Sequence, residues 1–337
     1  MIIKTIPFVL FLSFLLPTVS FSAEIYKWID DSGVTHFGAK PPAGKSSVEI
    51  SEQLRKTSNV VEFRKLKEIE FYRPSENEIP ITLEVDIRLV DYELSKASHK
   101  LIQRQVKAIY RAYVEWFGWS HQASRPIVIK IFGNYDAFEQ YQMENADGHV
   151  TSRSHYSPRR KEVVMKGTEF TDATLGVLFH EVSHAIVHMG LRHTPTWINE
   201  GMAETFEYSR VKKGKISLGY NEAWVEIIQH KLREGSLRPM AEYLAITNRE
   251  WRASSPAVER SYYMIAWSMM SFMMADDEAF KTLRAVVNSA KLTPWWKPPS
   301  LPERFSQNYP KGMKKLDARW RTWIRKLPQV RAANKRR

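Results

Sequence analysis

"HEVSHAIVHMGLRHTPTWINEGMAE", residues 180–204, sets two histidines four apart with a glutamate directly after the first. In the residues before it, "TEFTDATLGVLF", Thr171 is placed as an N-cap with Asp172 in the first turn, and Gly190 stands where a C-cap glycine closes a helix. The stretch therefore predicts one helix of about eighteen residues. Side chains at i and i+4 share a helix face, so His180 and His184 converge on a single ion. Glu181 projects beside them, where a carboxylate can take a proton from water at an open coordination position and pass it to a leaving amine. Two imidazoles joined by a carboxylate from elsewhere in the chain, with one position open, would favour zinc. His188 lies a further turn along the axis, too far to reach that ion, and reads as an ordinary polar residue.

The residues that follow sharpen this reading. "WINEGMAE", residues 197–204, resembles the second-helix signature of the gluzincin (thermolysin-like) zinc metallopeptidases, closest to exported bacterial peptidase families with a compact link between the two helices. The resemblance spans about residues 80–327, but only 180–204 is specific. It implies Glu200 as third zinc ligand after His180 and His184, Glu181 as general base and then acid, and Glu204 as a brace on a ligand histidine. The link from His184 to Glu200 is shorter than in thermolysin, and Glu204 stands at the thermolysin spacing. The tryptophan and the Asn-Glu-Gly-x-Ala order nevertheless assign Glu200, and Thr194-Pro195 supplies the tight entry. A metzincin scheme using His193 is excluded by Val187 and Gly190. Further on, "SPAVERSYYMIAWSMMSFMM" resembles the family helix that offers a tyrosine hydroxyl to the oxyanion; Tyr263 fits that place better than Tyr262, and the two point about 100° apart.

The fold implied is α+β: a small mixed zincin-like sheet with the active-site helix, a mainly helical lobe after Glu204, and a small N-terminal β-hairpin domain. "ITLEVDIRLV", "PIVIKIF" and "KEVVMKG" read as strands, and "ASHKLIQRQVKAIYRAYVEWFGW" and "DAFEQYQMEN" as helices. "KEVVMKG" is the expected sheet edge on which an extended substrate adds, and "HVTSRSHYSPRR" before it the expected mobile loop, with Arg159, Arg160 and Lys161 biasing the cleft toward acidic groups. The methionines and tryptophans of 260–274 and 295–296 read as core.

Organisation outside this region is simpler. Residues 1–22 have the grammar of a signal peptide, cut after Ser22 or Ala23, or else kept as an anchor, so the chain is expected in the periplasm or secreted. Residues 23–45 form a hairpin around Asp-Asp-Ser-Gly and resemble a short domain of unknown function common in exported proteins, with its Tyr-Lys-Trp, Asp, Gly and Thr-His-aromatic pattern. Residues 46–79 read as a charged linker, 80–327 as the peptidase domain and 328–337 as a basic tail. With no cysteine in the chain, disulfides and thiolate metal sites are impossible. The net charge of +13 is concentrated in "PKGMKKLDARWRTWIRKLPQVRAANKRR", whose single acid is Asp317. For an exported chain that segment points to anionic envelope surfaces rather than nucleic acid. The predicted activity is hydrolysis of a peptide or protein substrate by zinc-activated water. The rival is a non-enzymatic envelope-binding or scaffold protein with one structural metal.

Overall fold

The strand Ile127–Phe132 of the main sheet, "IVIKIF", shows why the strands form where they do. Ile127, Ile129 and Ile131 alternate onto one face and are almost wholly buried, while Phe132 joins a second apolar cluster with Phe138 and Val164 on the other. A strand buried on both sides must be covered by helices on both sides, and this one is. The computed structural model describes residues 26–29, 35–38 and 47–49, and the run 80–327 apart from 146–150, 152–153, 168–171, 192, 213–214, 291, 295 and 298. The signal segment, the Asp-Asp-Ser-Gly turn, most of the linker, Thr171 and the 328–337 tail lie outside the described residues.

The N-terminal hairpin, β1 (Tyr26–Ile29) with β2 (Thr35–Gly38), is present with Tyr26 opposite Gly38. A third strand, β3 (Ser47–Glu49), pairs with the other edge of β1, so the small sheet runs past residue 45 into the stretch expected to be linker.

The main sheet has the order β4 (Val85–Val90), β5 (Ile127–Phe132), β7 (Glu162–Lys166), β6 (Ser154–Ser157). The first three are parallel and β6 is antiparallel to β7. This corrects two expectations: "KEVVMKG" is an inner strand, and the segment expected as a mobile loop contains the edge strand. The cause is the turn between them, closed by the Lys161 amide donating to the Ser157 carbonyl at 2.7 Å, with Lys161 in the left-handed region at φ 58°. Helix α1 (Lys96–Phe117), capped by the Ser95 side chain and ended at left-handed Gly118, covers one sheet face through Ile102, Val106, Ile109, Tyr113 and Phe117. Helix α2 (Tyr135–Asn145) covers the other through Phe138.

Helix α3 (Asp172–Gly190) lies in the α1 layer, where the Tyr113 and Ser183 hydroxyls meet at 2.5 Å. Gly190 is its last helical residue and is not a left-handed cap; a side chain there would meet the Trp119 ring at 2.6 Å, so close packing explains the glycine. After α4 (Thr196–Glu207) comes a hairpin, β8 (Arg210–Lys212) with β9 (Lys215–Ser217), a short interruption of the mainly helical lobe. The lobe continues as α5 (Glu222–Arg233), α6 (Met240–Ala245), α7 (Asn248–Arg252), α8 (Pro256–Ala275), α9 (Asp277–Ser289), α10 (Leu301–Asn308) and α11 (Gly312–Lys326).

Helix α8 is the axis of the lobe, with every residue from Met264 to Met274 buried. The methionines are core, as expected, whereas Trp296 is 62% exposed and meets His193 edge-on. Helix α11 buries Leu316, Trp320, Trp323 and Ile324, and its Arg319 pairs with Asp276 and Glu278. Part of the basic C-terminal segment is therefore engaged within the fold. Among the described residues no helix is long and apolar enough to cross a membrane.

Gly201 sets the spacing of α4 against α8, because an added Cβ would lie 2.8 Å from the Ala266 carbonyl oxygen. Backbone cannot yield there as a flexible side chain would. Gly201→Ala should lower stability by about 1–3 kcal/mol in chemical denaturation; an unchanged midpoint would show that the two helices are not in this contact.

Candidate metal centre

Two helices build the site. On α3 the rings of His180 and His184 have their centroids 4.8 Å apart at 84° to each other. Helix α4 faces them after a link of a few residues, and that short entry is held from outside. The Asn248 side chain on α7 accepts from the Thr196 amide at 2.8 Å and donates to the Thr194 carbonyl at 3.3 Å, doing the capping that Pro195 cannot.

Glu200 is thereby presented to both imidazoles. Its Oε2 lies 3.6 Å from His180 Nε2 and 3.5 Å from His184 Nε2. Ligands about 2.0–2.1 Å from a tetrahedral zinc ion stand about 3.4 Å from one another, so the three atoms fit one ion, and the expected trio His180, His184 and Glu200 is brought together as a potential metal-holding group. A small acyclic set of two nitrogens and one oxygen leaves a coordination position open. Glu204, the rival ligand, does not reach the Nε2 side; it faces the opposite nitrogen of His180.

On that opposite side the nearer carboxylate is Glu207, with Oε2 2.9 Å from His180 Nδ1 against 3.8 Å for Glu204 Oε1. By distance the brace expected of Glu204 falls to Glu207. Glu200, Glu204 and Glu207 follow one face of α4 at i, i+4 and i+7, a periodicity that was present in the sequence. Both Nδ1 atoms are buried and neither makes an aligned hydrogen bond, so Glu207 meets His180 as a close ion-pair contact, and His184 has no carboxylate contact at Nδ1 among the described residues.

Electrostatics divide the carboxyls into roles. Burial works against ionisation of Glu200, but the His184 and His180 charges outweigh it and hold its pKa below the usual value. Glu204 is pushed well above the carboxylate range by burial and by the Glu207 charge. Burial opposes the charge on His180, and its contacts with Glu200 and Glu207 overcome that and raise its pKa well above the usual imidazole value.

Glu181 is buried beside the trio and accepts a hydrogen bond from Ser154 Oγ at 2.9 Å. Nothing in the sequence pointed to Ser154; the hairpin turn of β6 carries it there. Of the two tyrosines, Tyr262 rests on Trp251 and beneath Arg238. Tyr263 instead faces the carboxylates, and the Glu200 charge, followed by burial, raises its pKa so that the phenol keeps its proton. An edge-on contact with Trp251, centroids 5.5 Å apart, fixes its ring. One turn earlier on α8, Glu259 is a further acid that feels Glu200, its pKa raised by burial first and that charge second. His188 stands apart from the trio, its Nδ1 2.7 Å from the Tyr156 hydroxyl, in the polar role expected of it.

Comparison with known families places this site inside one of two matches. A family described as "Protein of unknown function (DUF1570)" matches residues 175–294, the span from α3 through α9 that holds His180, Glu181, His184, Glu200, Glu207 and Tyr263. A second, "Domain of unknown function (DUF4124)", matches residues 12–59, which contain the three-stranded N-terminal sheet. No curated protein and no solved structure matches the chain.

Glu207→Gln should weaken zinc affinity of the purified protein by about 10–100-fold, as loss of a carboxylate behind a ligand histidine does, with Glu204→Gln the milder change in a competition titration against a chromogenic chelator. The reverse order would return the brace to Glu204.

Proposed function

We propose that this chain is an exported zinc-dependent peptidase. The observation that carries the reading is the convergence of His180 Nε2, His184 Nε2 and Glu200 Oε2 within one coordination sphere. Beside it stands a further acid, Glu181, outside the ligand set but held by its own hydrogen bond from Ser154. A purely structural zinc site closes its sphere with four protein ligands, whereas three ligands and an adjacent unliganded carboxylate are the arrangement of a hydrolytic one.

His180, His184 and Glu200 would hold the ion, which supplies a Lewis acid for the carbonyl and lowers the pKa of water. Glu207 fixes the ring of His180 through Nδ1. Glu181 takes a proton from the attacking water as its oxygen bonds to the carbonyl carbon, and returns that proton to the amide nitrogen as the C–N bond breaks. Ser154 orients Glu181 through Oε1 and leaves the other oxygen for this transfer. Tyr263, kept protonated by the carboxylates around it, donates to the oxygen on which negative charge grows. The edge strand β6 runs past Glu181 and supports a substrate added as a further strand. Export rests on the apolar N-terminal segment with its small-residue cleavage site. The basic C-terminal residues past 327 suit an anionic envelope surface.

Two variants test the chemistry on a casein-type substrate. Glu181→Gln should abolish cleavage with the zinc content unchanged; retained cleavage would sink the assignment of the base. Tyr263→Phe should lower kcat by about 10²–10³-fold with little change in KM, as removal of an oxyanion donor does. If KM rises and kcat holds, Tyr263 positions substrate instead.

A further inference from the structure

The edge strand carries a second polar constellation, two turns of α3 beyond Glu181. Ser154 and Tyr156 share the face of β6 that looks onto α3: the first meets Glu181 and the second His188. Arg125, just before β5, donates from Nη2 to the Tyr156 hydroxyl at 3.3 Å. The same hydroxyl is hydrogen-bonded to His188 Nδ1 at 2.7 Å, so the three side chains form one connected row. Burial first, and then Arg125, Lys161 from the β6–β7 turn and His193 from the α3–α4 link, lower the pKa of His188.

Arg125 and Lys161 come from separate segments and, like His193, meet no acid among the described residues, although elsewhere Arg319, Arg321 and Lys311 each have one. Lys161 and His193 are exposed, and Arg125, Tyr156 and His188 are half-buried. A hydrogen-bonded row of donors, ordered by Tyr156 and uncompensated by negative charge, suits an anion with several acceptor oxygens. Seven residues of helix put it about 10 Å from Glu181, or about three residues of extended chain.

We propose that Arg125, Tyr156 and His188, with Lys161 at the rim, form a subsite for a peptide carboxylate, carried by an acidic side chain or by the chain terminus, some three residues from the bond that is cut. The proposal rests on the peptidase reading for its position, and its binding test does not depend on turnover.

Full-length Glu181→Gln protein, loaded with zinc, is titrated by fluorescence anisotropy with three labelled peptides: hexaglutamate with an amidated terminus, hexaglutamine with an amidated terminus, and hexaglutamine with a free terminus. One or both carboxylate-bearing probes should bind about tenfold tighter than the neutral one, as charge-assisted bonds give. Which of the two does so identifies the source of the carboxylate. The preference should vanish in Arg125→Gln/Lys161→Gln and return in part in Arg125→Lys, with thermal melting confirming that each variant folds. Equal binding of all three probes, or a preference that survives the double variant, overturns the subsite. So does a double variant that loses binding to phosphatidylglycerol vesicles while its peptide preference stays intact, since the patch is then a lipid surface. Carboxylate preference in a protein that cuts no peptide leaves the subsite standing and removes the peptidase reading; cleavage without the preference does the opposite.

Discussion

The Glu200 carboxylate between two imidazoles is the contact on which the rest of this structure depends. It joins α3 to α4 across a buried interface, with Oε2 within 3.6 Å of both Nε2 atoms. Buried charges are tolerated only when paired, and here Glu181, Glu204 and Glu207 crowd the same region. Two imidazoles do not balance four carboxyl groups. The fold answers by raising the pKa of Glu204 through burial and the Glu207 charge, by raising the pKa of His180, and by fixing Glu181 with the neutral Ser154 hydroxyl from β6. A bound dication would complete that balance, which is why the same cluster reads both as an electrostatic problem and as a metal centre.

Keeping α3 and α4 at that distance is a packing task, and glycine performs it. At Gly176 an added side chain would stand 2.4 Å from the Glu207 carbonyl oxygen, and at Gly201 it would meet the Ala266 carbonyl. These two positions bring α4 against its neighbours on both sides, so α8 arrives with Tyr263 facing the acids. Asn248 then secures the start of α4, where the short link leaves backbone groups without partners. Side chains from α7 and α8, more than forty residues downstream of Glu200, thus determine the geometry of a motif that looks local.

The sheet contributes by its edge. Because β6 folds back on β7, the strand nearest α3 is antiparallel, and its alternation points Ser154 and Tyr156 to the helix. The first steadies the proposed base, and the second orders the cationic row. One hairpin, turned at residues 158–161, therefore brings Ser154 to Glu181 and Tyr156 to His188.

What the sequence by itself determined is whatever depends on local pattern: the helix carrying His180 and His184, the strands with their alternating isoleucines, Pro256 at a helix start, and the Asn-Glu-Gly run that marks Glu200. A spacing of four on a helix is a fixed geometry, so the histidine pair was legible without coordinates, while Glu200 was implied by the resemblance of its Asn-Glu-Gly run. Only the tertiary structure decided which of Glu204 and Glu207 stands behind His180, because both lie on the right face of α4 and the choice turns on how far the helices slide past each other. The same holds for Ser154, for the edge position of β6, and for Gly190, whose close approach to Trp119 resembles a helix cap in one dimension. Contacts between residues distant along the chain leave no period behind; they exist only once the helices and the sheet have packed.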